Sequence, residues 1–140
     1  MGVRRLLLAN IVLAVLIVGH VADHGLRQPA DEQLSRVASL PGLLGALAIF
    51  VSLAVVATGY RHAPRIAGVV GVLTALGFVA VHLVPHWSLF SDPYPDRSLD
   101  AVSWIQMLAT LAGGLLVAFE ARRYANSGSG AASPPATSAA

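Results

Sequence analysis

Four runs of apolar residues, Leu6–Ala22, Leu40–Tyr60, Ile66–Val84 and Ala101–Phe119, dominate the 140-residue chain. Each is close to the roughly 20 residues that an α-helix needs to cross about 30 Å of hydrocarbon. Lipid offers no water to satisfy a bare backbone, so runs of this length are restricted to helices. Composition agrees, with 56% hydrophobic residues, 11% charged residues and a mean hydropathy of +0.70, where soluble domains have about a quarter of their residues charged. The sequence therefore predicts an all-α fold: a four-helix antiparallel transmembrane bundle made by residues 1–125. The tail 126–140, rich in Ser, Gly, Ala and Pro, is expected to be disordered. No polar block is large enough for a separate catalytic domain.

The opening stretch, Met-Gly-Val-Arg-Arg followed by Leu6–Gly19, has the charge-then-apolar pattern of a secretory signal. It ends on His20, Asp23 and His24 instead of paired small residues, so it is read as an uncleaved first span. Orientation follows from the arginines, because basic short loops stay on the cytoplasmic side. Arg4, Arg5, Arg61, Arg65, Arg122 and Arg123 fall on one side of a four-span chain with Glu120, a charge of +5. Arg27, Arg36 and Arg97 fall on the other with Asp23, Asp31, Glu32, Asp92, Asp96 and Asp100, a charge of −3. Both termini are expected to be cytoplasmic. All nine basic residues are Arg in an Ala-rich background, in keeping with a multi-pass protein of a bacterial inner membrane.

Four of the five histidines collect on the outer side, His20 and His24 closing the first span and His82 and His86 closing the third. A spacing of i, i+4 puts two imidazoles on one helix face, the arrangement of helical metal sites. Together the pairs offer His20, His24, His82 and His86 as metal ligands, with Asp23 and Asp92 close enough in sequence to orient a ring nitrogen. With no Cys and only two Met, such a set suits Zn, Cu(II), Ni or Fe, or a haem, and not Cu(I). Sharing one ion requires ring nitrogens of His20 and His82 to come within about 4 Å of each other. Pro85 qualifies the second pair: it cannot donate to the carbonyl of Val81 and it bends Val84 away from helical angles, so the helix should end near Leu83 and leave His86 in the turn. Gly25 is placed to end the first helix in the left-handed conformation.

The remaining polar and aromatic residues have structural readings. Gly71 and Ala75 share a face with His82, and Ser103, Gln106, Thr110, Gly113 and Gly114 form a stripe on the fourth span, both patterns of helices in close approach. Asn10 is a candidate interhelical hydrogen bonder. Trp87, Phe90, Tyr94 and Trp104 are expected in an interfacial aromatic belt. Ser98 or Asp100 can cap the fourth helix, and the first loop, with Pro29, Asp31, Glu32, Leu34, Val37 and Ala38, is expected to hold a short surface helix.

Several functions are excluded. Without Cys there is no disulfide, thiolate metal site or thiol redox chemistry. Arginines come at most in pairs at helix ends, which gives no nucleic-acid surface. Four short helices in so small a chain are similar in architecture to small multidrug transporters, DoxX-like proteins and four-helix quinone-linked reductases. The first group needs a carboxylate within its first helix, where this chain has only Asn10, and quinone reductases of the vitamin K epoxide type need a Cys pair. No family follows from the motifs. The first functional expectation is a non-enzymatic accessory or interaction subunit in the lipid bilayer, packed against other membrane subunits or itself. The alternatives are transition-metal (Zn or Cu) or haem binding through the paired histidines, and passage of a small solute along Asn10, Ser103, Gln106 and Thr110.

Overall fold

The computed structural model describes residues 2–27, 36–88 and 90–129. Among them the regular elements are all helical: α1 (Gly2–Leu26), α2 (Arg36–Ala57), α3 (Ala63–His82) and α4 (Ala101–Ser129), with a single turn of 3₁₀ helix at Tyr94–Asp96. Each of the four long helices is long and apolar enough to cross a membrane.

The helices match the apolar runs, and their ends differ for local reasons. α1 does not stop at Gly25, which keeps helical angles; among the described residues only Gly59 has a positive φ. The Arg27 amide donates to the Asp23 carbonyl, and its guanidinium reaches the Asp23 carboxylate at 3.1 Å, which carries the turn past the glycine. α2 begins at Arg36, so Val37 and Ala38 belong to a long helix and not to a short surface one. The rest of that expected helix, with Pro29, Asp31, Glu32 and Leu34, lies outside the described residues. α2 ends at Ala57, before Tyr60. Gly59, at φ 69°, lets its own amide bond Val56 and the Tyr60 amide bond Val55, a paired closure that needs a left-handed residue.

α3 starts at Ala63 with Pro64 in its first turn, where a missing N–H costs nothing. It stops at His82, as Pro85 requires, with the amides of Leu83 and Val84 both donating to the Val79 carbonyl. Asp100 is the cap of α4, accepting the Ser103 amide at 3.0 Å. α4 then continues well past Phe119, so Asn126–Ser129 are helical where the tail was expected to begin; residues 130–140 lie outside the described residues.

The helices pack in a ring, each against its neighbours in the chain, with α4 closing on α1. Gly2 meets Tyr124 at one end and Arg27 meets Asp100 at the other, so α1 and α4 run antiparallel. The closest approach joins α3 and α4. A Cβ on Gly71 would stand 2.6 Å from the Gly114 carbonyl oxygen, and one on Gly114 would stand 2.8 Å from that of Gly71. Only glycine permits this contact, which is the small-residue packing the stripe predicted.

Polar residues tie the other pairs. Ser52 donates to the Asn10 side-chain oxygen at 2.7 Å, while the Asn10 amide donates back to the Leu6 carbonyl at 2.9 Å, with Asn10 and Ser52 both fully buried. Gln106 donates to the Leu16 carbonyl at 2.7 Å, and Thr110 donates to the Gln106 carbonyl. Such bonds contribute roughly 0.6 kcal/mol each in a bilayer, so their value lies as much in setting the rotation of each helix as in stability. Outward, large side chains such as Val15, Leu43 and Ile105 are about two-thirds exposed. So broad an apolar exterior requires a cover, and lipid supplies one.

Candidate metal centre

The last turn and a half of α1 and the end of α3 bring three imidazoles together. Ring centroids are 4.6 Å apart for His20 and His24, 5.2 Å for His20 and His82, and 5.7 Å for His24 and His82. Each ring offers one nitrogen, and these three atoms all lie within 4.8 Å of one another. His20 and His82 are each 5% exposed. The i, i+4 spacing accounts for the first pair; the diagonal approach of α1 to α3 accounts for the third ring. Nitrogens bound to a tetrahedral zinc at 2.0 to 2.1 Å stand about 3.4 Å apart, so small rotamer changes would close the triad on an ion.

His86 stands apart. It follows Pro85 in the turn, its side chain is 73% exposed, and Nε2 lies 3.5 Å from an Asp96 oxygen. The loop that α3 leads into instead returns over the histidines. The Asp92 amide donates to the Val81 carbonyl, and Asp92, Pro93 and Tyr94 are buried.

Two loop residues orient the rings. The Asp92 main-chain carbonyl lies 3.2 Å from His82 Nδ1. A carbonyl oxygen only accepts, so Nδ1 carries the hydrogen and Nε2 keeps the lone pair that a metal would need. Asp92 thus acts through its backbone; its carboxylate is 3.9 Å from the same nitrogen and is ion-paired with Arg97. The Tyr94 hydroxyl lies 3.1 Å from His24 Nε2, and the Tyr94 ring packs edge-on against His82 with centroids 4.7 Å apart. Tyr94 is fully buried and rests against Trp104, so it belongs to this cluster and not to an interfacial belt. Phe78 closes the lower side, 4.7 Å from His20 between centroids. His20 Nδ1 is buried with no hydrogen-bond partner among the described residues, a state that costs about 1–3 kcal/mol unless something binds it.

Asp23, the other expected orienting acceptor, has a buried side chain paired with Arg27, which also reaches the exposed Asp100. The Ser103 amide, and after it the Arg27 guanidinium, hold the Asp100 carboxyl below the usual aspartate range. This link between α1 and α4 is accordingly present at neutral and mildly acidic pH, and is lost only as pH falls through that lowered value.

Comparison of the chain with protein-family models, with curated proteins and with solved structures finds no match.

Proposed function

We propose that this chain is a small multi-pass membrane protein that binds one divalent transition-metal ion, zinc in the first instance, through His20, His24 and His82. The observation that carries the reading is the convergence of three ring nitrogens within 4.8 Å at a buried junction of two helices. His82 is fixed by a carbonyl acceptor in the tautomer a ligand needs, and His20 Nδ1 has no hydrogen-bond partner among the described residues. Three imidazoles with no thiolate suit zinc, with copper(II) next.

A haem is a poorer fit than an ion. Cofactor pockets run to about 300–1,000 Å³, while a cavity beside α1 and α4 is about 170 Å³ and holds none of the three histidines in its lining. The accessory-subunit reading loses one support, since Gly71, Gly113 and Gly114 are used inside the bundle, against α4, α1 and α3. The solute-path reading loses Asn10 and Thr110, both fully buried and hydrogen-bonded to neighbouring groups. The arginine asymmetry supports both termini in the cytoplasm and the metal centre at the outer face of an inner membrane.

Equilibrium dialysis of detergent-purified protein against zinc, read by elemental analysis, tests the proposal. One zinc per chain is expected, lost in His20→Ala and His82→Ala and retained in His86→Ala. Zinc that is absent from the unaltered chain, or indifferent to His82, would end it.

A further inference from the structure

A divalent ion held by three neutral imidazoles keeps its whole charge in a poorly solvated place, and it needs a compensating anion. Two buried carboxylates neighbour its ligands: an Asp92 oxygen lies 3.9 Å from His82 Nδ1, and Asp23 follows His20 by three positions on α1, which makes the two side chains neighbours on the helix surface. Asp92 is engaged by Arg97 and lends the centre its main-chain carbonyl. Asp23 sits between His20 and His24 on the same helical turn, and its side chain is 3% exposed. Among the described residues it is paired with Arg27 at 3.1 Å, and neither carboxylate oxygen receives a hydrogen bond of good geometry from them. A carboxylate so far removed from water is poorly satisfied by that one pairing.

Arg27 is itself held twice. Its Nε faces Asp23 and its Nη2 faces Asp100, so it keeps an exposed, ionised partner if Asp23 leaves. A cavity of about 170 Å³ on the α4 side of the same carboxylate, lined in part by Gly19, Asp23, Arg27 and Gln106, keeps the ion pair loosely packed.

Resting on the histidine reading above, we propose that Asp23 is the fourth ligand of the ion and that Arg27 holds it in reserve. When the ion enters, the Asp23 carboxylate passes from Arg27 to the metal, and Arg27 stays on Asp100. Metal occupancy is thereby coupled to the ion-pair link between α1 and α4. His20-x-x-Asp23-His24 then supplies three ligands from a single turn of α1, and His82 supplies the other from α3.

The test is a double-mutant cycle on zinc affinity, measured on the full chain by competition with a chromophoric chelator. Asp23→Asn should weaken zinc at least tenfold, and Arg27→Gln should tighten it severalfold by freeing Asp23. Asp100→Asn, which keeps a side-chain oxygen to cap α4, should weaken zinc because Arg27 then has only Asp23. In the Asp23→Asn background the effects of Arg27→Gln and Asp100→Asn should both vanish. Effects of unchanged size there would mean that the two charges act only through their field, and the exchange would be refuted while the histidine site stood. Unaltered affinity in Asp23→Asn would refute it in the same way. A wild-type chain whose zinc binding did not depend on His82 would instead overturn the histidine reading, and this inference with it.

Discussion

Tyr94 and His86 exchange the places that their neighbours in the chain assign them. His86 is the last member of an HxxxH pattern, but the pattern describes a face only while the helix lasts, and Pro85 ends the helix first. Tyr94 lies in a proline-rich loop beside other aromatics, where an interfacial position is the ordinary reading. It is drawn inward because the Asp92 amide bonds back to Val81, which turns the loop across the top of the histidines. Spacing alone paired His20 with His24; that His82 meets them depended on the rotation of two helices, which spacing does not fix. Nothing in the local sequence around Tyr94 pointed to His24, since that contact spans 70 positions of the chain. Tyr94→Phe keeps the ring against His82 and Trp104 and removes the hydroxyl from His24. It should weaken zinc by about tenfold, the scale of a lost orienting hydrogen bond, with little change in thermal stability. An unchanged zinc affinity would mean that the hydroxyl does not orient the ligand.

At the scale of elements, the existence and order of the helices were readable because apolar length in lipid admits little else. The ends were less so. They are set by single interactions: the Asp23–Arg27 pair that extends α1, the left-handed Gly59 that closes α2, and the Asp100 cap that starts α4. The α3–α4 contact gives the sharpest energetic contrast. Gly71 faces a backbone carbonyl that cannot swing away, whereas Gly77, on the same helix, has nothing within 4 Å of its virtual Cβ. Gly71→Ala should destabilise the bundle by about 1–3 kcal/mol through overpacking, while Gly77→Ala should not. Thermal unfolding in detergent measures both, and equal shifts would contradict the packing account. The same change should also disturb zinc binding, because the α3 register carries His82.

In the whole molecule, a bundle held by small-residue packing carries a polar centre at one end, beneath a folded loop. The polar side chains inside the bundle are used for helix contacts, and the titratable ones gather where α1, α3 and the loop meet. In the topology proposed from the charge difference of the two sides, that end lies outside the cell. In this cysteine-free chain, a Cys placed at Ser98 should react with an impermeant thiol reagent on intact cells, and one at Thr58 should not. The reverse pattern would invert the protein and put the metal centre inside. The most direct measurement of the central claim is zinc X-ray absorption on the zinc-loaded full chain. The account predicts four light-atom ligands at about 2.0–2.1 Å with multiple scattering from three imidazoles. A six-oxygen shell without imidazole scattering, as for a loosely held hydrated ion, would contradict it.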